Sequence, residues 1–212
     1  QNYDLPKAHD DISPIPLGID YHTLSNSANR PDFDELIKRI RWGPAMTPIE
    51  QEMELLSIAN SSPSFDERMN KSYSFFQFNI NLETVERHGT QDRIKAINVV
   101  RTNPSTNIAA PKKVLRKPTW ENCTKYKFIV SPHGYGLDCH RTYEAMFLGS
   151  MPIVKTSSLD LMYQHMPICI VDNWDELKGM NKLLQKAEVA RARANPDTLK
   201  LAYWIDLIEN WQ

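Results

Sequence analysis

The sequence lacks the long apolar run that a membrane-spanning helix requires, since no stretch approaches roughly 20 consecutive apolar residues. It also lacks an excess of either charge: 25 lysines and arginines stand against 26 aspartates and glutamates, for a net charge of −1. A near-neutral chain carries no basic field of the kind that attracts nucleic acids. We therefore expect no membrane segment in this chain and no nucleic-acid partner.

Cysteine is also scarce, and the three that occur are Cys123, Cys139 and Cys169. Their number is odd, their neighbours are apolar, and their spacing fits no metal site, so neither a disulfide framework nor a zinc site is indicated. We expect buried free thiols in a reducing compartment, which favours a cytoplasmic location. The sequence begins at Gln1 without a methionine or a signal-like segment. This start indicates a processed or partial chain, to which an upstream signal or anchor could belong.

The residues that are present predict an α/β protein. The chain has 212 residues, of which 41% are hydrophobic and 24% are charged, as in ordinary globular domains. From residue 72 to about residue 190, strand-like and helix-like segments alternate. This alternation predicts a Rossmann-like, doubly wound parallel sheet. The region before residue 71 is too short for a second full domain of this kind, so we expect the N-terminal region to be short and incomplete.

Several helices have clear start signals. Thr47 and Glu50 form a capping box with proline at the first helical position, which predicts a helix with Met53, Leu56 and Ala59 or Asn60 facing inward. Further helices are predicted at 33–40 (capped by Asp32), 82–87, 92–101, from Thr119, at 174–194 (capped by Asn173, with Leu177, Met180, Leu184 and Ala187 inward), and after Asn195, with an apolar stripe of Leu201, Ile205 and Ile208.

The segment 126–155 forms one strand–loop–helix–strand unit. Residues 128–130 are a buried strand, and the loop 133–136 contains two glycines able to adopt positive φ. Asp138 is placed to cap a helix that runs to about residue 148, and Gly149 is placed to end it. An extended segment then restarts, which completes a βαβ unit.

A glycine loop that enters a helix N-terminus is a good anion site, because free N–H groups and the helix dipole both favour negative charge. His140, Arg141 and Glu144 lie in the first two turns of this helix. Arg141 suits phosphate oxygens, and Glu144 suits a pair of adjacent hydroxyls. The arrangement is that of a site for the diphosphate and ribose of a nucleotide. The alternative is a solvated helix face with an internal His–Glu pair.

The sequence His133-Gly-Tyr-Gly, followed by a helix with Arg141, Glu144-Ala and then Gly149-x-x-Pro, resembles the donor-nucleotide motif of exostosin-like glycosyltransferases. The resemblance is strong over residues 126–155 and weaker over about 73–175. It implies a GT-B architecture whose C-terminal Rossmann-like domain holds a nucleotide-sugar as substrate, with no cofactor and no metal. It also implies inversion of the sugar by direct displacement, a UDP-sugar such as UDP-xylose or UDP-glucuronate as the favoured donor, and a glycan or glycoprotein as the acceptor.

Carried over position by position, the resemblance places Arg141 at the diphosphate and Glu144 at the ribose. The family often has arginine where this chain has His133. The other donor-binding candidates of this segment are Ser131, His133, Gly134, Tyr135, Gly136 and His140. The resemblance also divides the chain into an acceptor-side segment with helices, 1–70, and a nucleotide-sugar-binding domain, 71–212.

A second candidate site lies near the start of the chain. Gly18 permits a turn that exposes Asp20 and His22, an acid and an imidazole suited to acid–base chemistry. The alternative is a surface loop with an Asp-based turn. Similar Pro-x-Gly-x-Asp-Tyr/Phe-His segments occur in sugar transferases that look like this chain. On that basis we expect Asp20, or else His22, to deprotonate the acceptor hydroxyl.

Two further donor-binding candidates follow the predicted strand 72–79. Asn79 and Arg93 could reach a ligand at the carboxyl end of a parallel sheet, although a solvated helix face is the alternative for Arg93. The basic run 112–117 is expected to be a solvated face, the alternative being a site for an acidic acceptor. The sequence thus favours an inverting glycosyltransferase, with a non-catalytic nucleotide- or glycan-binding module as the alternative.

Overall fold

A five-stranded, all-parallel sheet forms the centre of the protein. The computed structural model describes residues 13–25, 43–44, 46–76, 92–109, 115–134 and 136–210. Within them the strands are β1 Met69–Ser74, β2 Thr106–Ile108, β3 Tyr126–Val130, β4 Met151–Lys155 and β5 Cys169–Val171.

Helices connect these strands and cover both faces of the sheet. In chain order they are α1 His22–Ser25, α2 Pro48–Asn60, α3 Asp92–Thr102, α4 Arg116–Cys123, α5 His140–Phe147, α6 Asp160–Tyr163, α7 Met180–Arg193 and α8 Leu201–Glu209. Short 3-10 helices lie at Phe65–Glu67, Trp174–Lys178 and Pro196–Leu199. The predicted Rossmann-like α/β fold is confirmed in its parallel sheet and flanking helices.

The strand order is β2-β1-β3-β4-β5. The chain moves outward from β1 in one direction and then outward from β3 in the other, so the direction changes between β1 and β3. At such a point the two loops leaving the carboxyl ends of the strands turn to opposite faces and open a crevice. This rule predicts a crevice beyond Ser74 and Val130, where β1 and β3 end.

Two layers of apolar side chains hold the helices on the sheet. On one face α3 and α7 pack on side chains of β3, β4 and β5, with Phe128, Ile153 and Val171 at the centre. On the other face α2, α4 and α5 pack around Ile129 and Trp120. Every residue of β3 is buried, as expected of a central parallel strand. No helix among the described residues is long and apolar enough to cross a membrane.

Helix α2 has the predicted start but only part of the predicted inward face, since Ala59 packs against the apolar cluster around Ile129. Thr47 and Glu50 form both hydrogen bonds of the capping box. Met53 and Leu56 are nevertheless exposed, and the buried residues are Leu55, Ile58 and Gln51. The reason is polar: the Gln51 side-chain amide donates to the carbonyls of Tyr21 and Met46, which fixes the helix with a glutamine inward.

Other boundaries also differ from the predictions. The helix expected from Thr119 begins at Arg116, the strand expected from Ser72 begins at Met69, and the helix expected over 174–194 is divided at Gly179. Asn173 caps the first of its two parts, as predicted. The apolar stripe of α8 (Leu201, Ile205 and Ile208) is exposed rather than packed inward. The helices predicted at 33–40 and 82–87 lie outside the described residues.

The N-terminal segment shares a core with the sheet. Leu55 and Ile58 of α2 pack in the same apolar cluster as Tyr73 of β1 and Ile129 of β3. The division into an acceptor-side segment before residue 71 and a nucleotide-sugar-binding domain after it stays a prediction. The contacts show that the part of the first segment carrying α2 is a layer of the sheet's own domain.

Gly149 ends α5 as predicted, and its surroundings explain why it is glycine. Its φ is 76°, in the left-handed region, and the N–H of Ser150 reaches back to the carbonyl of Ala145. The Arg68 guanidinium donates to the Leu148 carbonyl at 2.7 Å and to the Ser150 hydroxyl at 2.7 Å. A Cβ on Gly149 would lie 2.8 Å from Nη2 of Arg68, so a side chain there disturbs both the turn and its arginine.

We predict that Gly149→Ala lowers the free energy of unfolding by about 1–3 kcal/mol, since alanine resists the left-handed conformation and meets Arg68. Urea denaturation followed by circular dichroism measures this as a lower midpoint at an unchanged slope. Gly179→Ala is the matched control, because φ there is −104° and an added Cβ has no neighbour closer than 3.6 Å. Equal midpoints for the two variants would contradict this account of the helix end.

Candidate functional site

The loop between β3 and α5, residues 131–139, leaves the carboxyl end of β3, where the strand order predicts the crevice; Tyr135 lies outside the described residues. Its first residue, Ser131, is buried and its hydroxyl lies 2.9 Å from that of Thr142. Gly134 donates its N–H to the Gly136 carbonyl at 3.0 Å, so this amide is used within the loop. The prediction that the amide of Gly134 contacts an anion is therefore not supported.

Gly134 is required for close packing rather than for an unusual backbone angle. Its φ lies outside the positive range that a glycine is able to adopt. A Cβ at this position would lie 3.0 Å from Sγ of Cys139 and 3.4 Å from Nη2 of Arg93. The absence of a side chain therefore allows Arg93, from α3, to approach the loop.

His133 is directed into the protein by Asp92. The backbone N–H of His133 donates to Oδ2 of Asp92 at 3.2 Å, and its Nδ1 lies 3.5 Å from the same oxygen. The second oxygen of Asp92 accepts from Nε1 of Trp174 at 2.8 Å and lies 3.8 Å from Nζ of Lys155. His133 is buried. Its contacts are those of a residue that fixes the loop, and its donor-binding role stays a prediction that its burial does not support.

Two guanidinium groups converge on this loop. Arg141, in the first turn of α5, donates through Nη1 to the Ser131 hydroxyl and to the Pro132 carbonyl, both at 3.3 Å. Its Cζ lies 5.7 Å from the rings of both Phe75 and Phe76, which follow β1. Arg141 therefore bridges the ends of β1 and β3, where the strand order predicts a ligand.

Arg93 and Arg141 have no carboxylate within ion-pair distance among the residues that the structure describes. Burial lowers the pKa of Arg93, and the charge of Arg141 lowers it further. The buried Nε of Arg93 also lacks a hydrogen-bond partner within the described ranges. Two like charges held together with a spare donor form a site whose electrostatic energy improves when an anion binds.

Asp138 anchors the N-terminal segment to the same loop. Its Oδ2 accepts from the N–H of Leu17 at 2.8 Å and from the hydroxyl of Tyr143 at 2.6 Å. Its Oδ1 accepts from the N–H of Cys139 at 2.9 Å and the hydroxyl of Tyr163 at 2.9 Å. Burial raises the pKa of Asp138, although these hydrogen bonds oppose the rise. The predicted capping role is wrong, because Cys139 is the N-cap residue of α5 and the Asp138 carboxylate bonds the N-terminal segment instead.

His140 and Arg116 provide two further anchors for this segment. Nδ1 of His140 lies 2.7 Å from the carbonyl oxygen of Gly18, whose φ of 73° makes the turn. Nη2 of Arg116 donates to the backbone carbonyl of Asp20. Together with Asp138, these contacts hold residues 17–22 across the N-terminal end of α5. The structure thus brings the two candidate sites, predicted 120 residues apart in Asp20 and His140, to one place.

Asp20 and His22 form a hydrogen-bonded pair. Nδ1 of His22 lies 2.9 Å from Oδ1 of Asp20, which also accepts from the N–H of Thr23 at 3.0 Å. Burial favours a higher pKa for Asp20, but the Thr23 hydrogen bonds and then the charges of His22 and Arg116 hold it below the ordinary value. The His22 ring is 68% exposed, and its centroid lies 5.9 Å from that of His140. The pair leaves Nε2 of an accessible imidazole as the basic atom.

Glu144 does not face the crevice. Its side chain is 4% exposed, and Oε1 lies 3.2 Å from Nη2 of Arg116, which is 3% exposed. Arg116 also donates to Oε1 of Gln51 and stacks 4.8 Å from the Trp120 ring centroid. The ribose role of Glu144 stays a prediction that this burial does not support. Arg116 also differs from the solvated face expected for the basic run, because its side chain is buried and its guanidinium pairs with Glu144.

The sequence reasoning missed three of the residues that assemble the site: Asp92, Asp138 in its actual role, and Arg116. Each acts on a partner at least 28 positions away, so no local spacing reveals the contact. Asn79 and Tyr135, both predicted donor contacts, lie outside the described residues. Asp32 and Asp34 also lie outside the described residues. They form an Asp-x-Asp spacing, which the expectation of metal-independent transfer does not consider.

The three cysteines are free, with Cys123 and Cys169 buried and Cys139 partly so. Burial raises the pKa of each thiol, so none is a ready nucleophile. The chemistry of the crevice therefore depends on cations, a carboxylate and an imidazole.

A comparison with known protein families finds none that matches the chain. A comparison with curated proteins likewise finds no significant match. The resemblance to exostosin-like glycosyltransferases therefore rests on the motif residues alone.

Proposed function

We propose that the protein transfers a sugar, with inversion, from a nucleoside diphosphate sugar to a hydroxyl of a glycan or glycoprotein. The observation that supports this most directly is that both candidate sites lie at the N-terminal end of α5: Arg141 lies at the loop that Arg93 approaches, and the adjacent His140 contacts the segment that carries Asp20 and His22. Two cations that have no carboxylate partner within the described part of the chain suit a departing diphosphate, and an oriented imidazole suits a hydroxyl that must lose its proton.

In this reaction the acceptor oxygen forms a bond to the anomeric carbon while the bond from that carbon to the diphosphate breaks. The acceptor proton moves to Nε2 of His22, whose Nδ1–H is held by Asp20. The negative charge that develops on the diphosphate is stabilised by Arg93 and Arg141. Asp20 is then the group that orients His22, which reverses the order of preference drawn from the sequence. A carboxylate with a lowered pKa is the weaker base of the two.

UDP-sugars are the first donors to test, on the strength of the motif resemblance. The alternative is a nucleotide- or glycan-binding module without turnover. It is favoured by one observation: Glu144 and the N–H of Gly134, both predicted donor contacts, are occupied by partners within the protein. Binding of UDP and turnover of the donor are therefore measured separately.

The first prediction concerns Arg141. Arg141→Ala is expected to weaken UDP binding about 10–100-fold, since one charge-assisted hydrogen bond contributes about 1.5–3 kcal/mol. Arg141→Lys keeps the charge but loses the planar guanidinium, so its affinity for UDP should lie between that of the unmodified protein and that of Arg141→Ala. Isothermal titration calorimetry with UDP measures these differences.

The matched control is Lys200→Ala, which removes the same charge from an exposed pair with Asp197. It should bind UDP as the unmodified protein does, apart from a small screened effect. A loss in the control as large as that in Arg141→Ala would reduce the effect to net charge and remove Arg141 from the site.

The second prediction concerns the base. His22→Ala is expected to lower kcat of transfer, or of donor hydrolysis, by about 10²–10⁴ while UDP affinity stays unchanged. Asp20→Asn should cause a smaller loss, because the imidazole is then present but poorly oriented. His165→Ala is the control, since it also removes an exposed imidazole. Full activity in His22→Ala together with none in Asp20→Asn would return the base to Asp20.

The third prediction separates the two roles of Glu144. Glu144→Ala removes a buried carboxylate that lies 3.2 Å from the buried guanidinium of Arg116, so the free energy of unfolding should fall by about 3–5 kcal/mol. Glu188→Ala, at an exposed position of α7, should change it by less than about 0.5 kcal/mol. Urea denaturation measures both. Unchanged stability in Glu144→Ala, accompanied by weaker donor binding, would instead support the ribose role.

A further inference from the structure

Asp20, His22 and His140 place three metal-ligating groups together on the outer side of the crevice. One ligand atom from each lies within 4.8 Å of the other two. Zinc bonds of about 2.0–2.2 Å in a tetrahedral site place ligand atoms about 3.4 Å apart, so the three ligand atoms reach that separation if they approach one another by at most about 1.4 Å. The exposed His22 ring is free to make that movement.

The surroundings of His140 prepare it as a ligand. A carbonyl oxygen only accepts hydrogen bonds, so Nδ1 of His140, at 2.7 Å from the Gly18 carbonyl, carries the proton. Nε2 then bears the lone pair. A histidine whose other nitrogen donates to a backbone carbonyl is the arrangement found around protein metal ions, because it fixes both the tautomer and the ring.

The charges around the three groups favour a cation. Nη2 of Arg116 lies 3.9 Å from Oδ2 of Asp20, but Arg116 is also paired with Glu144. Among the charged groups just named, two carboxylates and one guanidinium leave one net negative charge beside the two imidazoles. Two imidazoles and one carboxylate suit zinc and its neighbours in the first transition row, whereas magnesium and calcium prefer oxygen ligands.

We propose that Asp20, His22 and His140 form a binding site for a divalent transition metal of the zinc class, with open positions for water. Nδ1 of His22 and Oδ1 of Asp20, now 2.9 Å apart across a proton, are close to the separation of two ligands on one metal. Metal binding then changes the tautomer of the His22 ring: Nδ1 gives up its proton and Nε2 takes one up from water, so the ring stays neutral and no proton is released overall.

The effect of bound metal on catalysis by His22 rests on the proposed function. A His22 ring bound through Nδ1 carries a proton on Nε2 and has no lone pair with which to accept one from a hydroxyl. Zinc at this site therefore stops sugar transfer without displacing the nucleotide, whose cations are Arg93 and Arg141.

The test is a titration of the full chain with Co²⁺, whose visible spectrum reports tetrahedral nitrogen and oxygen ligands, and with Zn²⁺ in competition. One ion should bind per chain, and His22→Ala, His140→Ala and Asp20→Ala should each weaken binding at least about tenfold. Since His22 is exposed, His22→Ala keeps the fold and decides the outcome even if another variant unfolds. Control variants are His9→Ala, His88→Ala and His165→Ala.

Unchanged binding in His22→Ala overturns the site, as does a comparable loss in any control. Magnesium that binds as tightly as zinc overturns the ligand class. Transfer that proceeds equally with and without bound zinc overturns the tautomer change at His22. If no donor is turned over at all, the proposed transferase function fails, while the cobalt spectrum still decides the metal site.

Discussion

The attachment of residues 17–22 to the N-terminal end of α5 is the constraint on which the rest of the site depends. Asp138 holds the backbone of Leu17, His140 holds the carbonyl of Gly18, and Arg116 holds the carbonyl of Asp20. Two of these groups are charged and buried, and each has several hydrogen bonds that offset the cost of removing it from water. The amide of Gln51 holds the same segment at the carbonyl of Tyr21, between Asp20 and His22.

The same contacts make fold and site interdependent. Glu144 and Gln51 accept hydrogen bonds from Arg116, and Tyr143 and Tyr163 donate hydrogen bonds to Asp138. All four side chains are buried. Their contribution to the chemistry is indirect, through the position of the N-terminal segment. A loss of function in a variant of these residues is therefore first a question of folding, and only then a question of catalysis.

The sequence was informative where a structure is determined locally. The strand, the helix and the glycine stop of segment 126–155 follow from apolar runs and from the left-handed turn at Gly149, and the start of α2 follows from the capping box at Thr47. The predictions were wrong where a distant partner decides. Gln51 faces inward because the carbonyls of Tyr21 and Met46 accept hydrogen bonds from its amide. Arg116 is buried, unlike the solvated face predicted for the basic run, because it pairs with the buried Glu144. Such pairs have no fixed spacing, so a single sequence cannot reveal them.

The nucleotide at the crevice between β1 and β3 is the central claim, and a crystal structure of the protein with UDP tests it most directly. The account predicts the diphosphate within hydrogen-bond distance of the Arg93 and Arg141 guanidinium groups, with the His22 ring on the open side where the sugar and its acceptor meet. A UDP molecule bound elsewhere, or a crevice that stays empty at millimolar UDP while both arginines bond protein groups, would contradict it.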